Sequence, residues 1–387
     1  MAERKETKPK ESDPKVEESA LHVRPGRAAS EPPPDLIARI TSNRRSLSRP
    51  QYVDGILKGQ RTILAQAITL IESSRVADRE VAEQILEDCL PHSGNSVRVG
   101  VTGVPGAGKS SLIEVLGTSL IRRGEKVAVV AIDPSSQLSG GSILGDKTRM
   151  RSLAASDMAF IRPSPSRGSL GGVAQRTREV MLLCEAAGYQ NVIVETVGVG
   201  QSETAVHDMV DFFMLIALTG AGDELQGMKR GVMELADIVV INKADGANLV
   251  AAERARFEAE NALHYFPISA SGWTPRAITC STQTGRGIDE LWNCVFEHAA
   301  ATKNNGWFSR NRHNQTRKWM HEIIQQELLR RFESHPAIQK RLEALEQDVL
   351  QGRTTSFRAA RTLLELYADP ASTDQHSKHS LPSTNAS

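Results

Sequence analysis

The sequence predicts an α/β protein with a doubly wound, mainly parallel sheet that is preceded and followed by helices. Short β-branched runs alternate with helical stretches between residues 97 and 280. These runs are apolar at consecutive positions, as expected of strands buried on both faces of a parallel sheet. A glycine-rich turn follows the first run and leads directly into a helical pattern. The predicted strands are Val97–Thr102, Lys126–Ile132, Met158–Ile161, Asn191–Glu195, Phe212–Leu218, Ile238–Asn242 and Ala277–Cys280.

Changes in composition divide the chain into five segments. Residues 1–35 are rich in Lys, Glu, Pro and Ser, and residues 369–387 in Ser, Thr, His and Pro. Both hold too few apolar residues to offset the entropy of ordering, so both are predicted to be disordered. Residues 36–95 carry apolar residues at spacings of three and four, which predicts a helical extension. The sheet domain is predicted over 96–303 and a helical arm over 304–368.

The first helix of the arm carries a large apolar stripe. Its members are Trp319, Ile323, Ile324, Leu328 and Phe332. A stripe of this size on a helix outside the core needs a cover, because exposed apolar patches are unfavourable in water. We therefore expect a homodimer whose partner subunit covers the stripe. Folding back onto the chain's own sheet domain is the alternative.

Composition and charge argue against several classes of protein. A formal net charge of +1 over 387 residues argues against a nucleic-acid partner, which needs a clustered basic face. No apolar run approaches the ~18 residues that a membrane helix requires. The N-terminal residues lack the apolar region of a secretory signal and are too acidic for a mitochondrial leader, so we expect a cytoplasmic protein. The four cysteines share no CxxC spacing, which predicts reduced thiols.

The turn after the first predicted strand fits the pattern GxxxxGK[ST] at every defined position. Its glycines allow the backbone N–H groups to face a phosphate at the N-terminus of the following helix. In this pattern Lys109 reaches the β- and γ-phosphates and the Ser110 hydroxyl binds Mg²⁺. The predicted phosphate-binding residues are Gly103, Val104, Pro105, Gly106, Ala107, Gly108, Lys109, Ser110 and Ser111.

A second motif, NKAD, follows the sixth predicted strand and comprises Asn242, Lys243, Ala244 and Asp245. The carboxylate of Asp245 can accept two hydrogen bonds, from guanine N1–H and from the exocyclic amine. Adenine offers no such pair of donors, so a site of this kind discriminates strongly between the two bases. The sequence therefore predicts GTP as the nucleotide.

A further base contact is expected at the end of the next strand. Two segments compete for this role: Ser281-Thr282-Gln283 and Ser269-Ala270. The first follows the predicted strand Ala277–Cys280 and leads into a helix, whereas the second precedes that strand. We therefore select Ser281, Thr282 and Gln283.

Four residues around the predicted phosphate site can complete it. Glu195 ends a strand where many GTPases carry the Asp of DxxG, and its carboxylate can hold Mg²⁺ directly or through water. Gly198 keeps a backbone N–H that can sense the γ-phosphate. Asp133 and Asp146 are predicted to share metal binding and water positioning. Helix capping or turn formation is the alternative for these aspartates.

Two further features are less specific. Arg149 could meet phosphate charge, although an exposed helix face would explain it equally well. The glycine-flanked loop at 220–229 follows the fifth strand and carries Asp223, Gln226 and Lys229. Loops at the carboxyl ends of parallel strands face the ligand, so this loop can respond to the nucleotide. An ordinary connection is the alternative.

These motifs, in this order and spacing, resemble the MeaB/ArgK family of GTPases. The resemblance runs from about Leu36 to Tyr367 and includes GVPGAGKSSLIE, ETVGVGQSE, GAGDELQGMKRG and NKAD. It implies a G domain of the SIMIBI class of P-loop NTPases, a helical extension and a dimerisation arm. It also implies a chaperone for an adenosylcobalamin-dependent acyl-CoA mutase, usually methylmalonyl-CoA mutase. Such chaperones gate cofactor loading from a cobalamin adenosyltransferase and protect or reactivate the mutase.

The resemblance also implies roles for single residues. The family's magnesium and catalytic carboxylates match Asp133, Asp146 and Glu195, and Lys109 completes the predicted catalytic set. The first switch of the family contains Arg149. The third switch, which couples to the partner, contains Asp223, Gln226 and Lys229.

Two other functions remain open from the sequence. One is a kinase or ATPase accessory to the transport of basic amino acids, against which the NKAD motif argues. The other is a metal-insertion GTPase, which should carry a His-rich or Cys-rich tract. The chain has 10 His residues and no such tract.

Overall fold

The structure is a computed structural model that describes residues 47–73, 75–133, 150–165, 170–196, 202–219 and 230–368. The segments predicted to be disordered lie outside these ranges, as do residues 36–46 of the predicted helical extension. No helix in the described ranges is both long and apolar enough to cross a membrane.

Seven parallel strands form one sheet in the order β3-β2-β4-β1-β5-β6-β7. The central strand β1 pairs with β4 on one side and with β5 on the other, so that Val99 lies opposite both Ile193 and Phe212. All seven predicted strands are present, and the prediction of a parallel sheet is confirmed. The strands are β1 Val97–Gly103, β2 Val127–Asp133, β3 Ala159–Pro165, β4 Asn191–Thr196, β5 Phe212–Ala217, β6 Ile238–Ile241 and β7 Arg276–Thr279.

The described helices precede, connect and follow these strands. The first three pack against each other and against α6, and they form the described part of the predicted helical extension. The helices are α1 Arg49–Leu57, α2 Arg61–Glu72, α3 Val76–Cys89, α4 Lys109–Arg122, α5 Arg151–Ala154, α6 Leu170–Ala186, α7 Ser202–His207, α8 Arg230–Glu234, α9 Leu249–Leu263, α10 Ile288–Asn304, α11 Trp307–Ser334, α12 Pro336–Leu350 and α13 Ser356–Ala368.

Helices cover both faces of the sheet. Successive side chains of a strand point to opposite faces. In β5, Met214 packs in a cluster with residues of α4 and α10, whereas its neighbour Leu215 packs in a cluster with residues of α9. In β6, Val240 belongs to the same cluster as Met214, and Val239 belongs to the same cluster as Leu215. The sheet is therefore doubly wound, as predicted.

The N-terminal part of α11 packs onto the sheet domain of its own chain. The guanidinium of Arg312 donates two hydrogen bonds to the carboxylate of Asp211, at 2.8 and 2.6 Å. The same group donates to the carbonyl oxygens of Gly94 and Ser96, at 2.6 and 2.7 Å. These contacts lie at the edge of the sheet where β1 and β5 begin. The predicted arm is therefore attached to the sheet domain well beyond residue 304.

The predicted apolar stripe of α11 divides between several environments. Trp319 lies beneath the guanidinium of Arg178 in α6, which also donates to Glu322 at 2.6 Å. Phe332 packs edge-on against Tyr367 of α13, with 5.4 Å between ring centroids. Trp319 is thus covered by the sheet domain, which is the alternative named above, whereas Phe332 is covered by another helix of the arm. Met320, Ile324, Leu328 and Leu329 stay exposed in this single chain.

Arg312→Ala should destabilise the fold, because it leaves the buried carboxylate of Asp211 without its guanidinium partner. We expect the free energy of unfolding to fall by about 3 kcal/mol, measured by urea denaturation. The control is Arg330→Ala, which removes an exposed pair with Glu327 on the same helix. Equal denaturation midpoints for the two variants would show that the Arg312 contacts do not hold α11 in place.

Candidate functional site

The loop Gly103–Gly108 connects β1 to α4 and passes very close to two other elements. Gly103 has φ +148°, and a Cβ there would lie 2.3 Å from the carbonyl oxygen of Ile216 in β5. Gly108 has φ +88°, and a Cβ there would lie 2.6 Å from Nδ2 of Asn242. Only glycine fits these two positions, because any side chain would push β5 or the Asn242 loop away.

Lys109 is the first residue of α4 and is 8% exposed. Its Nζ donates to the carbonyl oxygens of Gly103 and Val104, at 2.7 and 3.2 Å. Burial lowers the pKa of Lys109, and the negative charges of Glu195 and Glu203 partly oppose that effect. The ammonium therefore lies inside the loop that is predicted to bind phosphate.

Ser110 and Glu195 meet beside this loop. The Ser110 hydroxyl donates to Oε1 of Glu195 at 2.8 Å. Both residues line a cavity of about 510 Å³, together with the glycine-rich loop and the end of β2. The hydroxyl of Thr196 bonds that of Thr102 at 2.8 Å, which joins the ends of β4 and β1. Magnesium prefers oxygen ligands, so the hydroxyl and carboxylate at this cavity fit the ion.

The other predicted residues of the phosphate site are described only in part. Asp133 ends β2, at the same edge of the sheet, but its side chain lies outside the described atoms. The remaining predicted site residues fall in segments outside the described ranges. These residues are Asp146, Arg149, Gly198, Asp223, Gln226 and Lys229.

The NKAD loop touches the glycine-rich loop directly. Nδ2 of Asn242 donates to the carbonyl oxygen of Ala107 at 2.8 Å, and the Asn242 side chain is buried. Nζ of Lys243 donates to the carbonyl oxygen of Gly106 at 3.1 Å. The two predicted nucleotide-binding loops therefore form one continuous surface, although 135 residues separate Ala107 from Asn242 in the chain.

Ser281 and Asp245 are also brought together. The Ser281 hydroxyl is buried and donates to Oδ2 of Asp245. The same hydroxyl oxygen accepts from the backbone N–H groups of Gln283 and Thr284, both at 3.2 Å. Thr282 lies inside this turn. The turn after β7 thus faces the carboxylate that is predicted to read the base.

The competing segment Ser269-Ala270 lies elsewhere. The Ser269 hydroxyl bonds that of Ser271 at 2.8 Å. Ser269 and Ala270 line a different cavity, of about 460 Å³, together with Phe213 and Asp237 at the starting ends of β5 and β6. The structure therefore places Ser281, and not Ser269, beside Asp245.

Two polar residues of this edge are not among the predicted site residues. Asn248 and Thr219 form hydrogen bonds next to the NKAD loop. The only indication in the sequence is their position, because each is a polar residue just after a predicted strand or motif. That pattern is too common to select them.

The family of the chain follows from comparison with known proteins. The profile of a family described as "Methylmalonyl Co-A mutase-associated GTPase MeaB" matches residues 64–337, more than half of the chain. The chain belongs to the MeaB family. The resemblance found in the motifs is thereby confirmed, and the matched range contains both predicted nucleotide-binding loops and α11.

Relatives of known sequence or structure agree with this assignment. GTPase ArgK of Escherichia coli is 52% identical over 272 residues, which cover 70% of this chain and 82% of ArgK. The mitochondrial methylmalonic aciduria type A homolog of Mus musculus is 44% identical over 323 residues, or 81% of this chain and 78% of the mouse protein. The crystal structure of LAO/AO transport system kinase has a TM-score of 0.67 and 39% identity, and the match covers 83% of this chain and 98% of that chain. As a MeaB-family member, the protein is a GTPase.

Asp245→Asn tests how this MeaB-family protein reads the base. An amide cannot accept from both guanine donors, so GTP affinity should fall by more than ~2 kcal/mol while xanthosine triphosphate binding appears. Calorimetry with both nucleotides measures this change, and Asp289→Asn, an exposed carboxylate on α10, is the matched control. Equal binding of ATP and GTP by the unmutated protein would instead favour the kinase or ATPase alternative.

Proposed function

We propose that this MeaB-family GTPase binds GTP with Mg²⁺ and uses its hydrolysis to control an adenosylcobalamin-dependent acyl-CoA mutase. The observation that carries the nucleotide part is the contact of Asn242 and Lys243 with the glycine-rich loop. It makes base reading and phosphate binding parts of a single site. The Ser110–Glu195 pair lies in the phosphate cavity of that site.

Each residue of the site has a proposed role. Lys109 would offset the negative charge of the β- and γ-phosphates, and Ser110 and Glu195 would hold the magnesium ion. Bound Mg²⁺ would neutralise charge that develops on the phosphate oxygens. Asp133 and Asp146 are proposed to share water positioning with these groups. No arginine of the described residues lines the phosphate cavity, so we expect slow intrinsic hydrolysis.

The mutase partner is supported by the family. Its description names association with methylmalonyl-CoA mutase, and the mouse relative is named for methylmalonic aciduria. The proposed role is that of a chaperone that gates adenosylcobalamin loading, with a cobalamin adenosyltransferase as a further partner, and protects or reactivates the mutase. A nucleotide can control a partner only if the GTP and GDP states bind it with different free energies. The proposed compartment is the cytoplasm.

Adding mutase should accelerate GTP hydrolysis, because residues supplied by the bound mutase can stabilise charge that develops on the phosphate, as an arginine supplied by a partner does in other GTPases. The measurement is the steady-state GTPase rate against added methylmalonyl-CoA mutase, or another acyl-CoA mutase, from the same host. Asp223→Ala in the proposed coupling loop should remove the acceleration and keep the basal rate. Glu195→Gln should bind GTP but lower both rates by about 10²-fold. A flat titration with every such mutase, and no complex in gel filtration, would show that the client is a different protein.

A homodimer is the second part of the proposal. Met320, Ile324 and Leu328 follow one another at intervals of four residues, so they lie on one face of α11. All three are roughly half exposed in the single chain. A second copy of the arm would remove this apolar face from water.

Charges placed on this face should separate the dimer. Ile324→Glu combined with Leu328→Glu buries two carboxylates in the proposed interface, and the molar mass from light scattering should halve. Val250→Glu, at an apolar residue of α9 that is 81% exposed, is the control and should keep the dimer. If the unmutated protein is a monomer at tens of micromolar, the arm has another role.

A further inference from the structure

The backbone of the NKAD loop is strained at one residue. Lys243 has φ +60°, and it is the only non-glycine residue with a positive φ in the part of the chain that the structure describes. Left-handed conformations of residues with a side chain cost free energy and persist only where surrounding contacts hold them. Asp245, which reads the base in the proposed function, lies two residues further on. The placement of its carboxylate thus depends on the contacts that hold Lys243.

Asn248 contacts the residues on both sides of Ala244. Its Nδ2 donates to the carbonyl oxygen of Lys243 at 2.7 Å. Its backbone N–H donates to the carbonyl oxygen of Asp245 at 3.0 Å. One residue therefore fixes the peptide groups before and after the turn that presents the Asp245 carboxylate.

The orientation of the Asn248 amide is itself determined. A backbone carbonyl can only accept, so the nitrogen end of the amide must face Lys243. The oxygen end then faces Thr219, whose hydroxyl donates to Oδ1 at 2.8 Å. Thr219 lies two residues beyond the end of β5. The end of β5 is thus tied to the NKAD loop through one side chain.

We propose that Asn248 is a positioning residue for guanine recognition, and that Thr219 orients it. This inference rests on the proposed function, in which Asp245 accepts from guanine. Asn248 holds Lys243 in its left-handed conformation. Both carboxylate oxygens of Asp245 can then accept hydrogen bonds from guanine at the same time. It touches no part of the base and acts only through the loop.

Asn248→Ala should weaken GTP binding more than inosine triphosphate binding. Inosine lacks the exocyclic amine of guanine, so a displaced carboxylate loses a contact that inosine triphosphate never makes. We expect the Kd for GTP to rise about tenfold and that for inosine triphosphate to rise much less. Calorimetry with each nucleotide gives the ratio of the two constants, which a general loss of stability would not change.

Variants of Thr219 test the same chain of contacts without touching the loop. Thr219→Val removes the hydroxyl at nearly constant shape and should raise the Kd for GTP relative to that for inosine triphosphate, as Asn248→Ala does. Thr219→Ser keeps the hydroxyl and should bind both nucleotides as the unmutated protein does. The double variant that combines Thr219→Val with Asn248→Ala should bind GTP no more weakly than Asn248→Ala alone, because Thr219 acts through the Asn248 amide. If Asn248→Ala fails to fold, Thr219→Val carries the test.

The control is Asn261→Ala, which removes an exposed asparagine side chain on α9 and should leave every constant unchanged. Equal losses for GTP and inosine triphosphate, or no loss for either, would overturn the role of Asn248. Equal affinity of the unmutated protein for GTP and ATP would instead overturn base reading by Asp245, which is the proposed function itself. The two failures are therefore distinguishable.

Discussion

The parallel direction of all seven strands is the constraint on which the proposed nucleotide site depends. Because every strand runs the same way, the residues that follow β1, β4, β6 and β7 all emerge at one edge of the sheet. Both faces of these strands are closely packed, so a shift of one residue would move each side chain into a space shaped for another residue. The glycine-rich loop, Glu195, the NKAD loop and Ser281 thus meet although they are distant in the chain.

The opposite edge of the sheet is organised by buried charges. Arg98 donates to both oxygens of Glu185, at 2.8 and 2.9 Å, and Arg312 does the same for Asp211. Burial alone would raise the pKa of Glu185, but the hydrogen bonds and charge of Arg98 lower it overall. Buried charges add little net stability when paired, but leaving one of them unpaired is costly. They therefore determine where α11 lies more than they determine how stable the fold is.

Sequence patterns predict the carboxyl ends of the strands better than they predict the starting ends, where α11 is attached. The strands, the glycine-rich loop and NKAD are visible because local rules determine them: continuous apolar runs, glycines at fixed spacing, and a carboxylate after a strand. The attachment of α11 cannot be predicted from the sequence, because polar residues such as Arg312 and Gln315 form it through hydrogen bonds. Periodicity of apolar residues detects hydrophobic contacts only. Asn248 escapes detection for a related reason, since its partners Lys243 and Thr219 are brought together by the fold.

The attachment of α11 gives the arm a mechanical property. Its contacts reach the starts of β1 and β5, and the other ends of these strands carry the glycine-rich loop and Thr219. Contacts with the sheet domain continue as far as Glu322, and from there to Ser334 the helix extends about 18 Å, at 1.5 Å per residue. A tilt of these strands by about 10° would move the far end of the helix by about 3 Å, from the same length. The far end of the helix would thus move with any change in the tilt of the strands that lead to the proposed nucleotide site.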